Sequence, residues 1–117
     1  LKDKPLDFIV LSGDDALTLP MINMGAEGVI SVIAQSHPKD YSDMVNFALL
    51  GDMDMANQSH YRLYDYYVPL YAEGNPVGIK ACLEVLGICK AFVRLPLVEA
   101  SPLMKDELKR LLDSRDI

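Results

Sequence analysis

Two adjacent carboxylates, Asp14 and Asp15, follow Ser12-Gly13 at the end of an apolar run. Neighbouring carboxylates can share acid and base work at a reacting centre. One of them can instead cap the helix that starts near Ala16, accepting from its first amides at the positive end of the dipole. Consecutive side chains point apart, which favours capping over joint catalysis. Gly13 lets a backbone approach a ligand closely and offers its carbonyl as an acceptor, or it simply permits the turn. Cys82 and Cys89 are seven apart, a spacing that fits neither a CxxC redox pair nor zinc ligation, and they read as buried reduced thiols. His37 and His60 stand in unrelated contexts without an HxxxH partner, so neither a metal site nor a cofactor is expected.

The 117 residues are enough for one ordinary domain, and half of them are hydrophobic. A net charge of −6, with the 11 basic residues scattered, argues against nucleic acid as a partner. No apolar run approaches the roughly 18 residues of a membrane span. The opening LKDKPLDFIVL lacks a sustained signal-peptide core. A soluble, cytoplasmic protein is the expectation. The chain opens on Leu1 rather than methionine, so a processed, cleaved or partial chain is also expected.

These residues need elements to hold them. Phe8 to Leu11 and Gly28 to Ile33 are continuous apolar runs, the pattern of strands buried on both faces of a parallel sheet. Ala16 to Met24 between them reads as a short helix ended by Gly25, which gives one right-handed βαβ unit. Helices are then predicted over Asp43 to Leu50, stopped at Gly51, and over Asp52 to Tyr71, with Pro69 kinking or ending it. Another covers Val77 to Leu86, stopped at Gly87. In front of it Asn75 serves as cap and Pro76 presets the first turn, while Lys80 reaches carbonyls or a carboxylate. A last helix runs from the Ser101-Pro102 cap to about Asp113, with Leu108, Leu111 and Leu112 as its apolar stripe. Tyr61, Tyr64, Tyr66, Tyr67 and Tyr71 suggest helix packing rather than a base-stacking platform.

Two apolar parallel strands cannot make a sheet by themselves, because their outer edges leave backbone groups without partners. Either they pair with another chain, or they belong to a larger α/β domain with further strands before Leu1. The second reading is favoured.

The string LSGDDALTLP at residues 11–20, followed by GAEGVISV at 25–32, resembles the seventh and eighth strand region of the dihydrodipicolinate synthase family. The resemblance continues through ALLGD at 48–52 and PLYAEGNP at 69–76 with Lys80, then through Leu86-Gly87 and RLPL at 94–97. It covers nearly the whole chain. It implies the C-terminal part of a (β/α)8 barrel: last strands and helices over residues 1–50 and a helical region over 51–117. Such enzymes form an imine between a lysine on the sixth strand and pyruvate, and condense the resulting enamine with an aldehyde. Aspartate semialdehyde is the aldehyde in diaminopimelate and lysine biosynthesis; N-acetylneuraminate lyase, in the same group, handles a sugar acid.

The resemblance places the imine lysine, its proton-relaying tyrosine and the threonine beside the pyruvate carboxylate before Leu1, so no catalytic residue is assigned here. A Schiff-base lysine needs a desolvated pocket. Lys2, Lys4, Lys39, Lys80, Lys90, Lys105 and Lys109 lie in charged, loop or helical contexts, and none ends a buried strand. Barrel active sites form at the C-terminal ends of strands, which makes Gly13, Asp14, Asp15 and Ile30 the candidate substrate-binding residues. Ile30 matches an isoleucine that contacts pyruvate in the family; read alone, it is a β-branched barrel residue. Gln35-Ser36 stands where many synthases have asparagine. A homotetramer is implied as well. A truncated, non-catalytic interaction module is the alternative from outside enzymology.

Overall fold

The computed structural model describes residues 1–114, and the chain divides into two compact units at Tyr64 and Asp65. In the first unit, two extended segments flank a short helix α1 (Thr18–Asn23), a 3-10 turn spans Ile33–Gln35, and α2 (Pro38–Leu49) follows. Helix α3 (Met53–Tyr71) contains the division between the units. The second unit continues with α4 (Val77–Val85) and α5 (Pro102–Asp113).

The two expected strands are present only as extended segments joined at one point. Among the described residues the segments 8–11 and 28–33 form no continuous ladder, only one parallel bridge between Ser12 and Val29. Ser12 donates to the Gly28 carbonyl and Ile30 donates back to Ser12, both at 2.9 Å. One step earlier, the Val10 carbonyl accepts from Glu27 rather than from Gly28. Acceptors therefore advance by two residues while donors advance by three, and the extra residue bulges the second segment. Phe8, Ile9 and Leu11 are exposed, so the run that reads as buried has no packing partner along it. A ladder without neighbours on either side does not propagate. Ile33 leaves the extended segment for the 3-10 turn and is fully buried there.

The helices follow their local signals more closely. Helix α1 is shorter than expected, because Ala16 and Leu17 stay in a turn, and Gly25 ends it with φ +104°. Helix α2 starts five residues before the expected Asp43, with Pro38 in its first turn, and stops before Gly51 at φ +81°, a left-handed value that favours glycine. Asp52 begins α3, its carboxylate accepting from Met55 at 3.2 Å. Helix α3 runs through Pro69 to Tyr71; so near the C-terminus, the missing amide forfeits a single bond.

In the second unit, Ser101 caps α5 by accepting from the Met104 amide, and Met104, Leu108 and Leu112 form its buried stripe, with Leu111 half-buried. Asn75 does not cap α4. The helix begins at Val77 behind Pro76, which leaves Asn75 one position too early to reach the first free amides. Lys80 meets neither carbonyl nor carboxylate but lies 4.9 Å from the centre of the Phe92 ring, a cation–π contact. Cys82 is buried and Cys89 is exposed, so the expected pair of buried thiols is half right; neither is in a disulfide. Tyr66 and Tyr67 are buried, with the Tyr66 hydroxyl donating to Leu111, whereas Tyr61 and Tyr64 are exposed.

Two carboxylates fasten the long turns of this unit. Glu73 accepts from both the hydroxyl and the amide of Ser101. Glu84 accepts from the Ala91 amide at 3.0 Å and pairs with Lys105, which also reaches Glu99. The Ser101 hydroxyl holds the Glu73 carboxyl below the usual range, helped by the Ser101 amide; for Glu84 the Ala91 amide leads and Lys105 adds to it. A depressed carboxyl contributes stability above its unfolded value that is lost as pH falls through the folded one. Thermal unfolding midpoints should hold steady above the ordinary value of 4.5 and decline below it, and Glu84→Gln should flatten that decline.

Gly78 marks a tight approach between α4 and α3, since a Cβ added there would overlap the backbone of Leu70. Gly78→Ala should therefore lower the unfolding free energy by about 1–3 kcal/mol, read as a reduced urea midpoint.

Candidate functional site

The bridge at Ser12 and Val29 brings the ends of the two extended segments together, and all four sequence-predicted site residues lie at or just beyond it. Gly13 and Asp14 are exposed, Ile30 is 75% exposed, and Asp15 is 1% exposed. A side chain built at Gly13 would meet nothing within 4 Å. Gly13 therefore borders open space. The Ile30 amide is committed to the Ser12 carbonyl, so its carbonyl and side chain are the groups it can present.

The two aspartates do different work. Asp14 caps the turn into α1, its carboxylate accepting from the Leu17 amide at 3.0 Å. Asp15 turns inward and accepts from the Val32 and Ile33 amides at 3.2 and 2.9 Å, tying the first segment to the start of the 3-10 turn. Charge-assisted bonds of this kind are about twice as strong as neutral ones, and here they offset the burial of a carboxylate. Adjacency suggested capping by one residue; nothing in the sequence revealed that the other reaches across to a segment 17 residues away.

Residues that the sequence reading did not single out complete the network. Tyr41, from α2, places its hydroxyl 2.8 Å from the Thr18 hydroxyl and 3.2 Å from the Asp15 carbonyl. Thr18 lies 2.8 Å from the Asp14 carbonyl and 3.1 Å from the Ser12 hydroxyl. The Ser12 hydroxyl donates to the Asp14 carbonyl at 2.8 Å and accepts from the Asp14 amide. Ser12, Asp15, Thr18 and Tyr41 are all essentially buried. Three buried hydroxyls beside the Asp15 carboxylate were the available signal, hidden because hydroxyls score as neutral in a hydrophobic pattern. Beyond the bridge, Ser36 lies 2.8 Å from the imidazole of His37, which is buried at the start of α2, and Gln35 is exposed.

A separate cleft of about 490 Å³ opens between the second segment and α2, lined by Gly28, Val29, Ser31, Pro38, Tyr41 and Val45 among others. It includes neither Gly13 nor Ile30. Among the described residues no lysine is buried. Lys4 pairs with Glu27, Lys39 with Asp43 and Lys105 with Glu84, so none meets the requirement of a desolvated amine. Elsewhere in the first unit, burial holds the His60 imidazole below its usual value, so it is neutral near pH 7. Among the described residues no group of three or more His, Cys, Asp or Glu side chains could hold a metal ion, and no helix is long and apolar enough to cross a membrane.

The sequence profile of the Dihydrodipicolinate synthetase family matches residues 2–115. The chain belongs to that family. It is 39% identical over 117 residues to the 4-hydroxy-tetrahydrodipicolinate synthase of Phocaeicola vulgatus, covering all of this chain and 39% of that protein. Over 101 residues it is 45% identical to the enzyme of the same name from Cytophaga hutchinsonii, covering 86% of this chain and 34% of that one. Its fold superimposes on the crystal structure of dihydrodipicolinate synthase from Aquifex aeolicus with a TM-score of 0.91 at 42% identity, covering 96% of this chain and 38% of that one. The chain thus spans under two-fifths of the length of these family members.

Within this member of the dihydrodipicolinate synthetase family, Asp15 ties the paired turn together through two amides. Asp15→Ala removes the acceptor for two amides at once, and each unsatisfied group costs about 1–3 kcal/mol when buried. The variant should unfold at clearly lower urea, with faster hydrogen exchange at the Ile33 amide than at amides of α2.

Proposed function

We propose that this chain is the C-terminal part of a pyruvate-dependent Schiff-base aldolase that condenses pyruvate with aspartate semialdehyde on the way to diaminopimelate and lysine. The observation that carries the reading is the paired turn, which presents Gly13 beside Ile30 in a member of this family. The bridged segments are then the seventh and eighth strands of a (β/α)8 barrel, the region over residues 1–50 its last strands and helices, and residues 51–117 the helical extension. The exposed apolar side chains of Phe8, Ile9, Leu11 and Ile30 support this, because such a row needs a packed neighbour.

In this reading the nucleophile is a lysine supplied by another part of the polypeptide. That amine condenses with the pyruvate carbonyl and expels water; loss of a methyl proton gives the enamine, whose carbon attacks the aldehyde. This chain contributes the pocket wall. Gly13 offers its carbonyl and the space above it, and Ile30 offers its carbonyl and an apolar side chain against the pyruvate methyl group. Asp14 lies on the rim within reach of the second substrate, and Asp15 holds the wall in place from behind. Assembly as a homotetramer is part of the same proposal, drawn from the family resemblance.

Borohydride reduction of the gene product carrying this sequence, in the presence of pyruvate, tests the reading. The expected result is a covalent pyruvate adduct on one lysine outside residues 1–117. An adduct on Lys80 or any other lysine of this chain would contradict the assignment, and turnover with a sugar acid instead of aspartate semialdehyde would change the substrate.

A further inference from the structure

We propose that Tyr41 is a positioning residue for the paired turn: acting through Thr18 and Asp15, its hydroxyl sets the separation of Gly13 and Ile30. The proposal rests on the functional reading above.

Two clamps bracket the presented atoms. On one side the Ser12 carbonyl accepts from Ile30 at 2.9 Å; on the other the Asp15 carboxylate accepts from Val32 and Ile33. Gly13 and Asp14 on one segment, and Ser31 on the other, are the only residues between them. The first clamp is backbone to backbone and fixes the register. The second depends on where the Asp15 side chain is held, and that is decided from outside the turn.

Helix α2 supplies the hold. It packs on both α1 and the 3-10 turn, and Tyr41 is its residue at the turn. A buried phenol oxygen is unfavourable unless it is bonded, and phenylalanine would fill the same space without that cost. The oxygen is instead placed on two atoms of the turn, the Thr18 hydroxyl and the Asp15 carbonyl. A phenol has one proton, and the shorter contact directs it to Thr18. Thr18 then donates its own hydrogen bond to the Asp14 carbonyl, where Ser12 also donates. The direction of donation thus runs from α2 into the peptide that joins Asp14 to Asp15. Fixing that peptide fixes the start of the Asp15 side chain, and with it the second clamp.

The test counts competent sites before measuring rate. In the gene product carrying this sequence, borohydride trapping of pyruvate gives the fraction of sites that form the imine, and turnover is then expressed per trapped site. Tyr41→Phe and Asp15→Asn should each trap pyruvate, with turnover per trapped site lowered about ten- to a hundredfold, the scale of a misplacement near one ångström. Gly78→Ala, in the other unit, should lower the unfolding midpoint and leave turnover per trapped site unchanged. If Tyr41→Phe behaves like Gly78→Ala, the hydroxyl is structural only and the proposal is overturned. Should Asp15→Asn fail to fold, Tyr41→Phe alone decides, since it removes one oxygen and keeps the ring. A wild-type protein that traps no pyruvate defeats the functional reading. Hydrogen exchange at Val32 and Ile33 then judges the hold separately: acceleration in Tyr41→Phe supports it, and unchanged exchange overturns it.

Discussion

A carboxylate buried without a water shell must find donors inside the protein, and for Asp15 the donors are the amides of Val32 and Ile33. Much of the first unit is arranged around that requirement. The two amides are available because the second segment stops being extended at Val32 and turns, which leaves its N–H groups without ladder partners. The turn in turn leads into α2, whose Tyr41 hydroxyl donates to Thr18 beside the Asp15 carbonyl. One side chain is thereby satisfied at its charged end by the segment it faces, and its backbone is held by the helix that follows.

How much of this was readable from the sequence depends on the range of the interaction involved. The stops at Gly25, Gly51 and Gly87 and the Ser101 cap were legible because a terminus is decided by its own few residues. The start of α2 was missed by five residues since Lys39 and Asp40 carry no apolar period, although Pro38 at the first turn was a usable mark. Asn75 was misread for a related reason: a good capping residue adjacent to a proline satisfies the local rule, yet the helix begins one position later.

The extended segments are a different case. Their apolar runs describe what the residues would prefer as neighbours, and hydrophobic pattern alone does not supply those neighbours. Asp14 and Asp15 are indistinguishable by type and context, and only the course of the chain after Ile30 decides which of them is buried. Cys89 shows the converse, since a residue type that is usually inside lies on an exposed turn behind α4.

The extra residue at Gly28 has a further meaning for variation in this chain. Side chains alternate between the two faces of an extended segment, so the count of residues between Glu27 and Ile30 determines which face Ile30 joins. Substitution at Val29 alters size at one point. Loss of a single residue there would exchange the inward and outward sets of everything up to the turn at Ile33. Length in this stretch is consequently under tighter constraint than residue identity, and homologous chains should vary here in composition while keeping the same spacing.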